Sequence, residues 1–146
     1  MRGGSEHVLV VGAGLGGIRT VEQLRRVGHE GRISLVGGEK HVPYDRPPLS
    51  KQLLVGDWEP DRLTLMDGAA LREPDVDLLL GEPAVALRRG EVELADGTVL
   101  RADVIVLATG LVARTLPDQP GACTPCGPWT TRWRCGRSWL PRRPSW

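Results

Sequence analysis

His7-Val8-Leu9-Val10-Val11-Gly12-Ala13-Gly14-Leu15-Gly16-Gly17 is the stretch that decides the fold. A short, unbroken apolar run that ends in glycine marks a strand buried on both faces of a parallel sheet. Beyond the glycines, Ile18, Val21, Leu24 and Val27 recur at three-residue steps, with Arg19, Glu22, Arg25 and Arg26 on other faces. That spacing predicts an amphipathic helix. Gly28 follows the last apolar position, where helices prefer to end. Arg32-Ile-Ser-Leu-Val36 reads as a second strand, completing a strand–helix–strand unit of about 30 residues.

Within this unit Gly12, Gly14 and Gly17 form G-x-G-x-x-G between a strand and a helix. Each glycine has a separate reason to be there. Gly12 permits a tight turn, Gly14 lets the backbone approach a pyrophosphate, and Gly17 lets the helix lie close on the strand. The helix N-terminus turns unpaired N–H groups and partial positive charge toward phosphates. Glu39 lies 22 residues after Gly17, just past the second strand. A carboxylate there accepts hydrogen bonds from a ribose 2′-hydroxyl, and an acid rather than an arginine argues against a 2′-phosphate. A glycine turn that binds nothing is the plainer alternative, and strand, helix and acid in the right order all oppose it. Spacing alone does not separate FAD from NAD.

Further along, residues 37–60 turn polar and proline-rich, so they read as loop with a short helix from Leu49 to Val55. Asp61 to Leu71 reads as a short strand and helix, and Val76 to Leu80 as another buried strand. Three short strands follow at 84–88, 90–94 and 98–101, with Asp96-Gly97 as a hairpin turn between the last two. Asp103 to Ala108 is a further buried strand, closed by Thr109-Gly110. The expected fold class is therefore α/β: a Rossmann-like parallel sheet with an inserted β-meander.

The 146 residues suit a single domain, and no apolar run approaches the roughly 18–20 residues of a membrane helix. Met1 to His7 has no apolar run and is not a secretory signal, so a cytoplasmic protein is expected. Charge divides the chain unevenly. Residues 1–118 carry all 18 acids against 14 basic residues, whereas 119–146 carry five arginines and no acid. The same tail holds Cys123, Cys126 and Cys135 and four of the five tryptophans. It has no periodicity. We therefore expect a nucleotide-binding segment over 1–118 and an unrelated, disordered tail over 119–146.

Pro43-Tyr-Asp-Arg-Pro-Pro-Leu-Ser-Lys51, taken with the glycine turn and Ala108-Thr109-Gly110, resembles the ferredoxin-reductase-type FAD-dependent oxidoreductases, the putidaredoxin- and rubredoxin-reductase-like flavoproteins. The resemblance runs from about Glu6 to Leu116, and the proline-rich string is its most specific part. It implies FAD as cofactor, with Gly12, Gly14 and Gly17 at the pyrophosphate and Glu39 at the adenosine ribose. It also implies Arg46 near the phosphates, Lys51 near the reactive edge of the flavin, and the Val85 backbone beside the adenine. Thr109, Gly110 and Arg114 correspond to the turn that follows the last strand, although Ala113 stands where the family has proline. A cation near the flavin N5–O4 edge stabilises charge that develops on hydride acceptance, which is the role implied for Lys51. The parent activity would move hydride from NAD(P)H to FAD and single electrons on to a ferredoxin-type iron–sulfur protein.

Members of that family continue well past this length, with an NAD(P)-binding insertion and a C-terminal domain. The chain is thus expected to be a truncated reductase with weak or no FAD retention and little turnover. Near Gly121 the resemblance stops, and the tail reads as a GC-rich reductase gene translated one base out of frame; the nucleotide sequence spanning codons 115–146 decides this. Cys123, Cys126 and Cys135 would make a zinc site with only three ligands, and the Arg/Trp mixture has no helical face to offer nucleic acid or membrane. No metal, nucleic acid or membrane partner is expected. Two other readings stay open: a non-catalytic nucleotide-binding module, and an inactive truncated product.

Overall fold

Residues 6–65 and 76–111 are described by the computed structural model of the chain. They fall into two units, one of residues 6–44, 64–65 and 76–110, the other centred on 45–63.

The first unit begins with β1 (Val8–Val11), all four residues of which are buried. The glycine turn leads into α1 (Leu15–Arg26), and the chain returns through β2 (Ile33–Gly37). Then come β3 (Val76–Leu80), a three-stranded meander of β4 (Ala84–Arg88), β5 (Glu91–Leu94) and β6 (Val99–Arg101), and β7 (Val104–Leu107). The parallel sheet has the order β3-β2-β1-β7, so β7 inserts beside β1 at a separation of 96 residues in the chain. The meander is a separate antiparallel sheet, β4-β5-β6. The α/β class, the parallel sheet and the meander inserted between its strands are as expected.

Alternation along β1 explains the layering. Successive strand residues point to opposite faces. Val8 and Val10 pack with Ile18 and Val21 of α1 and with Ile33 and Leu35 of β2. Leu9 and Val11 point the other way and pack with Val36 of β2 and with Val92 and Leu94 of the meander. One strand therefore serves two cores, with the helix on one face and the second sheet on the other. Complete burial of each of these aliphatic side chains contributes about 1.5–3 kcal/mol.

Three expectations need correction. β3 is half-buried along its length rather than buried, and β7 leaves Val104 41% and Leu107 58% exposed. Both flank the β2–β1 centre of the four strands, and an apolar run does not reveal a strand's place in the order. Val27 is 68% exposed, because α1 ends at Arg26 and the valine already belongs to the cap. There the His29 N–H donates to the Leu24 carbonyl and the Gly28 N–H to that of Arg25, both at 3.0 Å. This is a Schellman closure, which needs the left-handed φ of 86° at Gly28. The Arg25 guanidinium closes the loop from below through bonds to the carbonyls of His29 and Gly31. Third, Asp61 opens no strand: the chain makes a 3-10 turn (Pro60–Leu63) and a single bridge at Thr64, and residues 66–71, over which the expected helix would run, lie outside the described residues.

At the amino ends of the strands, His7 Nε2 lies 2.8 Å from Ser34 Oγ, which in turn donates to Asp77 at 3.5 Å. Arg32 pairs with the same carboxylate, and Asp103 accepts the His7 backbone N–H at 2.8 Å. This network stitches β1, β2, β3 and the start of β7 together around Ser34, the one buried polar residue of the described core.

The meander turn behaves as its Asp-Gly pair suggests. The Asp96 carboxylate accepts the Thr98 backbone N–H and the Thr98 hydroxyl, each at 2.8 Å. The backbone bond first, and the hydroxyl second, hold its carboxyl below the usual aspartate range. A depressed folded-state value means the bonds support the turn above the unfolded pKa and are lost as pH falls through the folded one. In a carboxyl-carbon NMR titration, Thr98→Val is expected to move the Asp96 midpoint part of the way back up. An unmoved midpoint would show that the hydroxyl does not hold the carboxylate.

Candidate functional site

Apart from Val85, which lies in β4, the site candidates of the first unit lie at or just after the carboxyl ends of β1, β2 and β7. In open α/β sheets this is the edge where ligands bind. Gly12 takes φ +116° immediately after β1, and its N–H donates to the Val36 carbonyl at 2.8 Å. A Cβ there would stand 2.2 Å from the carbonyl oxygen of Ala108. A Cβ on Gly17 would stand 1.9 Å from the Gly12 carbonyl oxygen and 3.3 Å from Leu35 Cδ1. The first and third glycines are therefore demanded by the protein's own backbone.

Gly14 differs from both. Its φ of −86° suits any residue, and among the described residues a Cβ would meet nothing within 4 Å beyond its chain neighbours. Nothing inside the first unit requires glycine at this position. Gly14 is also the N-cap of α1, with no side chain bonded to the cap and no acid in the first turn. The first N–H groups of a helix have no partner within the helix. Their partial positive charge here points into space that no capping carboxylate occupies, and an anion suits that place.

Ala108-Thr109-Gly110 leaves β7 directly against this turn. The Ala108 N–H donates to the Val11 carbonyl at 2.8 Å, and Thr109 N lies 2.9 Å from where a Gly12 Cβ would be. Thr109 and Gly110 are exposed. On the other side, Gly37 ends β2 so close to the turn that a Cβ would fall 2.7 Å from Ala13 Cβ. Glu39, half-buried, follows two residues later. The Tyr44 hydroxyl donates to Glu39 Oε2 at 2.6 Å. Val85 lies in the register shift of β4: Ala84 pairs with Leu94 and Ala86 with Glu93, leaving Val85 unmatched in the ladder. A bulge of this kind turns the backbone groups of the extra residue away from the sheet.

Arg46 and Lys51 belong to the second unit. Pro47 and Pro48 open a 3-10 turn (Pro47–Ser50), which Arg46 caps, and Lys51 links it to the single-turn α2 (Gln52–Val55). Proline suits the first positions of a helical turn because its ring presets φ and those positions need no N–H. The helix expected over Leu49–Val55 is thus split at Lys51, whose φ and ψ of −128° and −102° are not helical. Both Arg46 and Lys51 are exposed, and Lys51 Nζ donates to the Pro47 carbonyl at 3.4 Å. Arg114 and the cysteines at 123, 126 and 135 lie outside the described residues.

The sequence assigned no role to Tyr44, although it stands inside the proline-rich string. It is the sole tyrosine in a chain without phenylalanine, five residues beyond the acid. That rarity was the available signal. His7, Ser34 and Asp77 combine the residue types of a hydrolytic triad, but Asp77 bonds the serine instead of orienting the imidazole, and Ser34 is 3% exposed. That order does not activate a nucleophile. Among the described residues no cluster of His, Cys, Asp or Glu is suited to a metal.

Comparison with known proteins agrees with this fold. The family described as pyridine nucleotide-disulphide oxidoreductase matches residues 6–134. The ferredoxin–NAD(+) reductase subunit of the benzene 1,2-dioxygenase system of Pseudomonas putida is 43% identical over 124 residues, which cover 83% of this chain and 30% of the relative. Rhodocoxin reductase of Rhodococcus erythropolis is 39% identical over 120 residues, 81% of this chain and 28% of the relative. Among solved structures, the covalent putidaredoxin reductase–putidaredoxin complex superimposes with a TM-score of 0.76 at 39% identity, covering 82% of this chain and 29% of that one. The chain spans about 30% of the length of the curated relatives it matches.

Proposed function

Because this chain belongs to the pyridine nucleotide-disulphide oxidoreductase family, we propose that its glycine turn binds the pyrophosphate of FAD. We propose further that a protein of its relatives' length carries electrons from NAD(P)H through FAD to a ferredoxin-type iron–sulfur protein. One observation carries the reading: Gly14 caps α1 beside open space, while Gly12 and Gly17 are forced by the backbone around them. A turn built only for packing has no use for the second glycine. The names of the relatives, ferredoxin–NAD(+) reductase subunit and rhodocoxin reductase, and the putidaredoxin bound in the solved complex support the rest.

The residues of the first unit divide the work of holding the dinucleotide. The N–H groups at the start of α1 receive the phosphates, and Gly14 allows their approach. Glu39 accepts hydrogen bonds from the adenosine ribose, and its charge repels a 2′-phosphate there. The unpaired backbone of Val85 borders the adenine. Thr109 and Gly110 line the turn leaving β7, where the Thr109 backbone lies near Gly12. Arg46 at the phosphates, Lys51 at the flavin edge and Arg114 after the last turn are assigned on the sequence motif alone. FAD, when bound, supplies the hydride-accepting and one-electron-releasing ring. No helix among the described residues is long and apolar enough to cross a membrane, and we place the protein in the cytoplasm.

Calorimetric titration of the chain with FAD, ADP and NMN tests the reading. At titration concentrations FAD and ADP are expected to bind weakly and to compete, because both present a diphosphate beside adenosine, and NMN is expected not to. Heats from neither FAD nor ADP would overturn the assignment. ADP binding with no effect of FAD would favour a nucleotide-binding module over a flavoprotein.

A further inference from the structure

The strongest unassigned contact at the binding edge is the bond from Tyr44 to Glu39. It runs between two residues of the same unit and does not depend on a ligand. At 2.6 Å, from a phenol to a carboxylate, it belongs to the short, charge-assisted class of hydrogen bond. Glu39 follows β2 on a loop, and fixing a long glutamate side chain in place costs rotamer freedom. Tyr44 is not free to follow it. Tyr44 forms an antiparallel bridge with Thr64, and next to that bridge the Pro43 carbonyl accepts the Leu65 N–H at 2.9 Å. Pro43 is buried. The phenol is thereby carried on a pinned backbone, and it holds one oxygen of the carboxylate.

The geometry points to Tyr44 as a positioning residue that holds the Glu39 carboxylate ready for the adenosine ribose before any ligand arrives. This rests on the reading of Glu39 given above and extends it. A carboxylate fixed in advance loses less freedom on binding, so its hydrogen bond to a hydroxyl contributes more of its strength to affinity. Tyr44 would touch neither phosphate nor flavin. Its effect should therefore be confined to ligands that own the hydroxyl Glu39 recognises.

Binding of ADP and 2′-deoxy-ADP to the intact chain, measured by calorimetry for the parent protein, Tyr44→Phe and Glu39→Gln, tests this. The parent is expected to prefer ADP by about tenfold, the size of a hydrogen bond to a charged group. Tyr44→Phe should reduce that preference to about two- or threefold while leaving affinity for 2′-deoxy-ADP unchanged. Glu39→Gln should remove it. Phenylalanine keeps the ring and the backbone bridge, and a thermal melt checks that the variant folds. A purely structural tyrosine would weaken both ligands equally, and that result overturns the proposal while Glu39 keeps its role. If the parent does not distinguish the two nucleotides, Glu39 does not read the ribose, and both readings fall together.

Discussion

Gly17→Ala is expected to destabilise the first unit by about 3 kcal/mol or more, a large fraction of the roughly 5–15 kcal/mol that holds a domain folded. The methyl carbon would stand 1.9 Å from the Gly12 carbonyl oxygen, a backbone atom with no rotamer to escape into. Leu35 Cδ1, at 3.3 Å, blocks the other direction. Relief requires α1 to lift away from β1 and β2. That movement loosens Ile18 and Val21, both of which are buried against Val8, Val10 and Ile33. Overpacking costs about 1–3 kcal/mol, and lost burial of two aliphatic side chains adds to it. Urea unfolding followed by circular dichroism gives the answer. A midpoint within error of the parent would show that the helix does not lie as close as the structure has it.

Gly14→Val should do the reverse: little to stability and much to ligand binding. A Cβ at Gly14 meets no non-neighbouring atom of the described residues within 4 Å, and φ of −86° accommodates valine without strain. Losing glycine from a helix N-cap costs from a few tenths to about 1 kcal/mol. The added carbons occupy the space over the first N–H groups of α1, so a pyrophosphate is held off from them. Each hydrogen bond to a charged group contributes about 1.5–3 kcal/mol, and forfeiting two lowers affinity by at least about a hundredfold. ADP titration alongside the urea curve separates the two effects. Undiminished ADP affinity in the valine variant would mean that the phosphates do not approach α1 at all.

The pair of variants also shows how far the local pattern could be read in advance. Strand, turn, helix and second strand were legible because each rests on spacing within a few residues: four apolar positions, three glycines, a three-step apolar stripe. Pairings over long separations were not. Nothing local says that β7 lies beside β1 while β3 ends up on the far side of β2, so the half-exposed state of Val104, Leu107 and the whole of β3 came only with the strand order. The meander was foreseen from its Asp-Gly turn, but the bulge at Val85 was not, since one unmatched residue leaves no trace in an alternation this short. At the carboxyl edge of the sheet, the positions of the glycines and of Glu39 after their strands could be read by counting. The hold of Tyr44 on Glu39 could not, because it depends on the bridge from Tyr44 to Thr64 across 20 residues of irregular chain.

The clasp of His7, Ser34, Asp77 and Arg32 sits at the opposite rim of the sheet from the glycine turn. Val8 and Val11, the two ends of β1, are about 10 Å apart at the usual rise of a strand. Changes that far apart with no shared neighbours combine additively. Robustness and ligand grip can therefore be tuned as separate dials. Tightening the lower rim, or attaching a dye or tether at the exposed Glu30, leaves the rim that carries the glycine turn as it was.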